Sequence, residues 1–348
     1  MTTAELKALA VELGMPAYAG RQIADWLYKY KVKSIDEMTN LSLANRRRLA
    51  ENCEIGCREP LRVSRSTDGT VKYLFPAGPS RPVQQCVETV FIPEGDHATL
   101  CVSSQIGCRM NCLFCQTGKQ GFGGQLTAAE ILNQVYSLPE VDQLTNIVFM
   151  GQGEPLDNLD SVLRATNILT DPRGWGWSPK RITISTVGLR QSLPRLLNEC
   201  RCHVAVSLHA AIHDVRAMLM PAEHSMPIAD IISELARADF SHQRRITFEY
   251  IVFKGINDTE AHAKALARLL QPLDAAIGSK WDSQCRVNLM HFHTIPGTDL
   301  HGADDATVIA FQEALRRYGI TATIRKSRGQ DIEAACGMLY TAQKKEEC

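Results

Sequence analysis

Long apolar runs are missing from this 348-residue chain, and so are internal repeats and low-complexity tracts. Without a run of the length that a bilayer requires, we expect no transmembrane helix and no membrane partner. An excess of charge is also missing, because 38 Lys and Arg residues balance 38 Asp and Glu residues. This balance argues against nonspecific coating of nucleic acid, which needs a basic excess, although it leaves room for a local basic patch.

The pattern of a signal peptide is absent too, because Glu5, Lys7 and Glu12 interrupt the first 15 residues. In contrast, cysteine is plentiful, with 12 residues. In a long chain without a secretion signal, cysteines indicate metal and redox chemistry in a reducing compartment. We therefore expect a cytoplasmic protein.

Composition divides the chain into four predicted segments. Residues 1–58 show short helical patterns and carry basic and aromatic side chains, so they form either a packing appendage or an accessory RNA-binding domain. Residues 59–93 alternate around Asp68 and Gly69, which predicts a hairpin with a two-residue turn and one further strand. Residues 94–340 form the main domain, and residues 341–348 form a tail.

Strand-like and helical segments alternate through the main domain. Strands are predicted at residues 98–103, 146–150, 181–185, 203–207, 247–253, 286–290 and 321–324. This alternation is typical of an α/β fold with a parallel sheet and right-handed crossovers. Parallel sheets bind ligands at the carboxyl ends of their strands, in barrels and in open sheets, so we expect the functional site there.

Three closely spaced cysteines, Cys108, Cys112 and Cys115, form a CxxxCxxC motif with Phe114 before the last one. An iron–sulfur cube normally takes four thiolates. Three local ligands leave one iron open to an outside molecule, such as the amino and carboxylate groups of S-adenosylmethionine. The motif resembles the signature of radical-SAM enzymes. The alternatives are zinc, or three thiols that lie close together by chance. Zinc sites favour two CxxC pairs, and this chain has one.

Small and polar residues recur at the ends of the predicted strands. Gly153 and Glu154 follow the second strand, where glycine lets the backbone approach a ligand closely. Ser185 ends the third strand, Ser207 ends the fourth, and Asn288 lies in the sixth. Each of these residues alone has an ordinary structural explanation. Together they suit recognition of a ribose and an amino-acid moiety.

Two further cysteines flank the motif along the chain. Cys101 precedes Cys108 by seven residues, and Cys336 follows a basic passage near the end of the main domain. A lone cysteine in either place is usually a buried thiol without chemistry. Two of them around an iron–sulfur motif indicate reactive thiols.

Over nearly its full length the chain resembles the RlmN family, the dual-specificity RNA methyltransferases that act on carbon 2 of adenine. The similar segments are residues 20–28, 34–42, 87–93, 98–122, 150–158, 178–189, 207–209 and 325–337. The resemblance implies an α/β fold: a partial (β/α)6, TIM-like radical-SAM barrel with a small N-terminal helical domain and a short β-hairpin extension.

The resemblance also implies roles for individual residues. A 4Fe–4S cluster is expected on Cys108, Cys112 and Cys115. The pocket for S-adenosylmethionine is expected to be lined by Gly153, Glu154, Ser185, Ser207, Leu208, His209 and Asn288. The methyl carrier is expected to be Cys336, with Cys101 as its resolving partner and Glu88 as the catalytic proton acceptor.

Chemistry explains why two cysteines outside the cluster are needed. Carbon 2 of adenine is electron-poor, so a sulfonium methyl donor, itself an electrophile, is mismatched to it. A thiolate accepts the methyl group first, and a second S-adenosylmethionine supplies a deoxyadenosyl radical. A second thiol then releases the product by forming a disulfide, which cellular reductant reopens. The sequence leaves open how Glu88 and Cys101 divide the proton transfer.

The implied partners are 23S rRNA at the peptidyl transferase centre, the tRNA anticodon loop, and an electron donor such as flavodoxin or ferredoxin. We expect the chain to act as a monomer.

Two alternative functions remain: a carbon-8 adenine methyltransferase of the antibiotic-resistance type, which shares the motifs, and a noncatalytic zinc- and RNA-binding module. Residues 14–42 favour the carbon-2 enzyme. Gln152, Gln116 and residues 291–294 depart from the commoner family pattern, which puts the positioning of groups near the cofactor in question.

Overall fold

The computed structural model describes residues 1–78, 81–82, 85–239, 245–277 and 285–341. The first part of the chain is helical, as predicted, and the bounds of the four predicted segments stay predictions. α1 begins at a capping box in which Thr2 and Glu5 bond each other's backbone amides. The next helix crosses α1 closely because Gly20 has no side chain: an added Cβ would lie 2.4 Å from Lys7 Cα. The helical elements are α1 (Thr3–Glu12), α2 (Ala19–Ala24), a π-helical turn (Asp25–Lys29), a 3-10 turn (Ile35–Glu37) and α3 (Leu43–Asn52).

Four antiparallel strands follow, namely β1 (Arg62–Arg65), β2 (Val71–Pro76), β3 (Cys86–Glu94) and β4 (His97–Cys101). The hairpin is present, but the predicted two-residue turn is wrong, because five residues separate β1 from β2. Ser66 N donates to Thr70 O at 2.8 Å, which closes a longer loop. Asp68 explains the difference: its carboxylate accepts from Thr70 N at 2.9 Å and from the distant Gly329 N at 2.9 Å.

The antiparallel strands continue into a parallel sheet. The order of strands is β1-β2-β3-β4-β7-β8-β9-β10-β11-β12, and every pairing from β4 onward is parallel. All seven predicted strands are confirmed, with small shifts at their ends. The strands that follow β4 along the chain are β5 (Gln105–Gly107), β6 (Phe122–Gln125), β7 (Asn146–Phe149), β8 (Ile182–Thr186), β9 (His203–Ser207), β10 (Ile246–Val252), β11 (Cys285–His291) and β12 (Ala322–Ile324). β5 and β6 form a separate two-stranded ribbon.

Helices connect the parallel strands and cover one face of the sheet. In β8, Ile182 and Ile184 are fully buried, while the alternate residues Thr183 and Ser185 are partly exposed on the other face. This alternation of period two leaves the second face free for a ligand. The helices are α4 (Gln116–Lys119), α5 (Ala128–Tyr136), α6 (Leu159–Thr170), α7 (Leu193–Glu199), α8 (His213–Leu219), α9 (Ile228–Ala236), α10 (Glu260–Ile277) and α11 (Asp305–Arg317). No helix in the described ranges has the length and apolarity needed to span a bilayer.

The parallel sheet curls into a partial barrel. Arg325, directly after β12, has its Nη1 atom 3.8 Å from Sδ of Met150, directly after β7. Five strand spacings separate β7 from β12, so a flat sheet would hold them roughly 24 Å apart, far beyond the length of an arginine. Contact across this distance therefore requires strong curvature, which agrees with the predicted TIM-like architecture.

A fully buried arginine ties the ends of two strands together. Arg216 of α8 donates to the carbonyls of Leu208 (3.1 Å), Ser207 (3.0 Å) and Val187 (3.2 Å) and forms an ion pair with Glu223. Both charged side chains are at most 1% exposed. Burial of a charge is costly unless it is paired, so Glu223 is required for Arg216 to occupy this position.

Replacement of Glu223 by Ala should lower the free energy of unfolding by about 3–5 kcal/mol, because the guanidinium of Arg216 would remain buried and unpaired. Urea denaturation followed by circular dichroism measures this loss. Glu234→Ala is the matched control, because it removes an exposed Arg237–Glu234 pair and should cost about 1 kcal/mol or less. Equal losses in the two variants would contradict the structural role of the buried pair.

Candidate active site

Strand register brings the predicted pocket residues to one face of the sheet. Ser207 pairs with Glu249 in β10, and Glu249 pairs with Asn288 in β11. Ser185 pairs with Ala205, two residues before Ser207. Paired residues point to the same face, as do alternate residues along a strand. The side chains of Ser185, Ser207 and Asn288 therefore project from one face near the carboxyl ends of their strands.

The same face continues into the antiparallel strands. Thr183 pairs with Val148 of β7, and Val148 pairs with Cys101 of β4. Cys101 in turn pairs with Val90, two residues after Glu88. Cys101 and Glu88 consequently share the face that carries Ser185, Ser207 and Asn288. The structure thus groups residues that are up to 200 positions apart in the sequence.

The three motif cysteines follow β5 on a loop that precedes α4. Cys108 N donates to Gly121 O at 3.0 Å, and Cys115 N donates to Cys112 O at 3.1 Å. Burial raises the pKa of the Cys112 thiol well above its usual value, and the neighbouring Cys115 and Cys108 raise it further. The thiols therefore lie close enough to influence one another.

This donor set fits an iron–sulfur cube. Thiolate ligands are stabilised by the positive charge of the iron, which offsets the burial that raises the pKa values of Cys112 and Cys108. In the part of the chain that the structure describes, no three Cys, His, Asp or Glu side chains are arranged to hold a single metal ion. A cube differs in this respect, because each thiolate binds a different iron.

Phe114 fixes the cysteine loop to the barrel. Its ring packs edge-on against His209, with centroids 4.6 Å apart, and lies 5.9 Å from the ring of Phe253. His209 adopts the left-handed backbone conformation, and its Nδ1 accepts from Ile251 N at 3.1 Å. Burial, followed by the charge of Arg216, lowers the pKa of His209 to about 3. The imidazole is therefore neutral, with its proton on Nε2.

Glu154 lies buried at the end of β7 beside the cysteine loop. Its carboxylate accepts from Val187 N and Leu156 N, each at 3.0 Å, and from the Thr186 hydroxyl. Burial raises the pKa of Glu154 to about 7, and these hydrogen bonds oppose the shift. A carboxylate has about four acceptor positions. Three bonds therefore leave capacity for one more donor, such as an amino group.

Gly153 is conformationally required. Its φ of +99° is a region that other residues rarely adopt, and an added Cβ would lie 2.5 Å from Gln105 Cβ. Gln105 also accepts from Glu154 N at 2.8 Å, so it supports the glycine loop directly.

The remaining pocket residues differ in what they offer a ligand. Asn288 Nδ2 donates to Glu249 Oε1 at 2.8 Å, and Asn288 Oδ1 accepts from the Thr323 hydroxyl at 2.9 Å. Leu208 is fully buried, and its amide donates to Glu249 O at 3.0 Å. The partly exposed side chains of Ser185 and Ser207 provide hydroxyls beside these fixed groups.

The segment that carries Cys336 lies beside the cysteine loop. Gln116 N donates to Gly337 O at 2.7 Å, and the Thr117 hydroxyl donates to Leu339 O at 2.7 Å. The end of this segment is bound on the other side, where Tyr340 N donates to Glu88 Oε2 at 2.8 Å. These bonds hold the segment between the first helix after the motif and strand β3.

The thiols of Cys336 and Cys101 lie close enough for their charges to interact. Cys336 is exposed to solvent. The surrounding residues nevertheless remove part of the hydration of its thiol, which raises the pKa of Cys336. The positive charge of Arg325 acts in the opposite direction and lowers that pKa. Burial raises the pKa of Cys101 to about 12, and the second cause is the charge on Cys336. Cys115 also acts on Cys336. The predicted carrier therefore lies near the predicted resolving thiol and near one of the predicted cluster ligands.

Glu88 is 1% exposed and lies next to a lysine that the sequence pattern did not single out. Its Oε1 is 3.0 Å from Lys72 Nζ. Burial raises the pKa of Glu88, and Lys72 is the main influence in the opposite direction. The sequence held a weak signal for Lys72, because this lysine interrupts a strand of otherwise apolar and aromatic residues.

Gln152, which departs from the commoner family pattern, is also fully buried here. Its Oε1 accepts from Glu88 N at 2.9 Å, and its Nε2 donates to the Thr341 hydroxyl at 3.2 Å. Gln116 contributes through its backbone, and its side-chain Oε1 is buried without a partner among the described residues. His291 lies at the end of β11, with Nε2 3.5 Å from Asp305 Oδ1. The first two departures therefore contact the framework around Cys336.

Two family models match separate parts of this chain. The family model of the Radical SAM superfamily matches residues 102–267, and that of the ribosomal RNA large subunit methyltransferase N-terminal domain matches residues 1–55. A crystal structure of a radical SAM methyltransferase from Sphaerobacter thermophilus superposes with a TM-score of 0.88 at 37% identity, covering 98% of each chain. Fold and site together define a radical-SAM methyltransferase, with the iron–sulfur cluster and S-adenosylmethionine that this superfamily uses.

Similarity to curated relatives identifies the family within the class of radical-SAM methyltransferases. A probable dual-specificity RNA methyltransferase RlmN of Bacteroides thetaiotaomicron is 54% identical over 99% of this chain and 96% of its own. The RlmN of Desulfotalea psychrophila is 39% identical over 97% of this chain and 92% of its own. The chain belongs to the RlmN family of RNA methyltransferases.

The cysteine loop yields a direct prediction about cofactor content. Cys112→Ser should lose most of its iron and its visible charge-transfer absorption after anaerobic reconstitution, because a buried hydroxyl is a poor substitute for a thiolate ligand. Iron analysis and the visible spectrum measure both losses. Cys53→Ser, in the N-terminal helical part, is the control and should retain the cluster. Full iron content in Cys112→Ser would contradict the ligand assignment.

Proposed function

We propose that the chain methylates carbon 2 of an adenine in 23S rRNA and of an adenine in the tRNA anticodon loop, with Cys336 as methyl carrier. The observation that carries this proposal is the grouping of Cys336 with Cys101 and Cys115, supported by hydrogen bonds from Gln116 and Thr117. A carrier thiol needs a methyl source on one side and a resolving thiol on the other. Cys115 belongs to the loop proposed to hold the cluster that binds S-adenosylmethionine, and Cys101 is the proposed resolving thiol.

The cofactor sites are proposed from the same geometry. Cys108, Cys112 and Cys115 would hold the 4Fe–4S cluster, which when bound supplies the electron that converts S-adenosylmethionine into its deoxyadenosyl radical. The pocket for S-adenosylmethionine would be formed by Gly153, Glu154, Ser185, Ser207, Leu208, His209 and Asn288. Glu154 would accept a hydrogen bond from the amino group of S-adenosylmethionine, and the serine hydroxyls and Asn288 suit the ribose of S-adenosylmethionine.

Cys336 acts first. Its thiolate attacks the methyl carbon of one S-adenosylmethionine, so that a C–S bond forms on Cys336 and the sulfonium C–S bond breaks, leaving S-adenosylhomocysteine. A second S-adenosylmethionine is consumed in each turnover. Arg325 favours the thiolate, because its charge lowers the pKa of Cys336. The position of Cys336 beside Cys115 keeps the carrier near the cluster.

Cys101 and Glu88 act in product release. Before release, the methyl carbon on Cys336 would lose one hydrogen atom to the deoxyadenosyl radical and bond to carbon 2 of the adenine, and the adduct would return its unpaired electron to the oxidised cluster. Cys101 then attacks the sulfur of Cys336, so that an S–S bond forms and the bond from that sulfur to the transferred carbon breaks. The electron pair of the broken bond stays with that carbon, which takes up a proton and becomes the methyl group. Glu88 accepts the proton from carbon 2. A cellular thiol reductant then reopens the disulfide. Flavodoxin or ferredoxin supplies electrons, and the chain works as a monomer.

Mass mapping of the modified base tests the proposed position of methylation. The reconstituted enzyme, given S-adenosylmethionine, reductant and a 23S rRNA fragment, should place its methyl group on carbon 2 of one adenine. Nuclease digestion and comparison with synthetic 2-methyladenosine and 8-methyladenosine distinguish the two isomers. A methyl group on carbon 8 would refute the proposal in favour of the antibiotic-resistance type of enzyme.

The two reactive cysteines predict opposite defects. Cys336→Ala should keep its cluster but transfer no methyl group to RNA, because the carrier is missing. Cys101→Ala should load the methyl group and attack RNA, but it should accumulate enzyme covalently bound to RNA, because no thiol resolves the adduct. Denaturing gel electrophoresis with labelled RNA distinguishes them, and Cys53→Ser serves as control. Normal turnover by either alanine variant would contradict its assigned role.

A further inference from the structure

Lys72 is a buried cation that lies between Glu88, the proposed proton acceptor, and the segment that carries Cys336. Its side chain is 9% exposed, and that of Glu88 is 1% exposed. Lysine is almost never buried without partners, and Lys72 has two of them. Its Nζ atom lies 3.0 Å from Glu88 Oε1 and donates to the carbonyl of Glu333 at 3.2 Å.

The pair contacts the carrier segment on both sides of Cys336. Glu333, whose carbonyl binds Lys72, lies three residues before Cys336. Tyr340, whose amide binds Glu88, lies four residues after it. One ion pair on neighbouring strands β2 and β3 therefore binds the backbone of this segment both before and after Cys336.

Stability alone is a poor explanation for such a pair. Moving two charges out of water costs several kcal/mol for each ion, and an apolar replacement of the whole pair is often neutral or stabilising. A function that needs a charged carboxylate explains the pair better, because a lysine beside it favours the charged form.

We propose that Lys72 is the positioning residue for product release: it keeps Glu88 ionised and holds the Cys336 segment against it. This inference rests on the proposed function, in which Glu88 takes the proton from carbon 2 while the electron pair of that C–H bond stays in the ring. Methyl loading of Cys336 does not use Glu88. Lys72 should therefore matter for release and not for loading.

The groups around Glu88 determine the sign of the pH effect. Burial raises the pKa of Glu88, whereas Lys72 from β2, the Tyr340 amide and Arg62 from β1 lower it. Gln152 and Ser103, which bond the backbone of Glu88, carry no charge. Removal of Lys72 should thus raise the pKa of Glu88. The acid limb of the release rate should then move to higher pH.

The experiment separates loading from release in reconstituted holoenzyme. Intact-protein mass measures methyl loading on Cys336, and decay of the enzyme–RNA adduct, formed with an RNA hairpin that contains the target adenine, measures release as a function of pH. Lys72→Met should load normally and show an acid limb about 1 pH unit or more higher, so that it releases at least about 10-fold more slowly at pH values below the limb of the unaltered enzyme. Lys72→Arg, which keeps the charge, should restore most of the rate.

The exposed Lys264 provides the control, and Lys264→Met should leave the acid limb unchanged. An unshifted limb in Lys72→Met, or a shift that Lys72→Arg does not reverse, would overturn the inference. If Lys72→Met also fails to load, Lys72→Gln and Lys72→Arg replace it, and equal release limbs in these two variants would overturn the inference. Failure of the unaltered enzyme to load Cys336 would instead count against the proposed function.

Discussion

Strand register is the constraint on which the rest of this structure depends. Ser207, Glu249 and Asn288 form one row across three neighbouring strands. Cys101 and Glu88 extend the same face into β4 and β3. A slip of one residue in any pairing would turn the affected side chains to the opposite face, among the apolar residues that pack on the helices. The hydrophobic alternation that specifies the register therefore also specifies the site.

The segment that carries Cys336 has little secondary structure of its own, so it obtains its position from other parts of the chain. Asp68 of the hairpin loop binds Gly329 N, Lys72 binds Glu333 O, and Gln116 binds Gly337 O. Each bond is modest alone, at roughly 1 kcal/mol. Because they come from the hairpin and from the cysteine loop, they couple the Cys336 segment to both. The hairpin extension thus has a role in positioning Cys336, the proposed carrier.

Periodicity and motif spacing predicted the parallel strands, the cysteine loop and the positions of Glu154, Ser207 and Asn288 near strand ends. Neither could predict which distant side chains would meet. The ion pair of Lys72 with Glu88 depends on a diagonal contact between strands. The fully buried Arg216 binds three carbonyls that only the folded chain brings together. The hairpin turn was predicted too short, because Asp68 bonds Gly329, a residue far along the chain.

Two thiols held near each other in the resting enzyme risk joining as a disulfide before any methyl group is transferred. Exchange and oxidation proceed through the thiolate, so the raised pKa values of Cys101 and Cys336 keep both thiols in their less reactive form. Their charges also oppose each other, because ionised Cys336 raises the pKa of Cys101. Methylation of Cys336 removes its ionisable proton, so Cys101 can then ionise without a competing thiolate beside it. Once Cys336 is loaded, Cys101 is therefore the thiol of the pair that can become a nucleophile, which is the order that the proposed reaction requires.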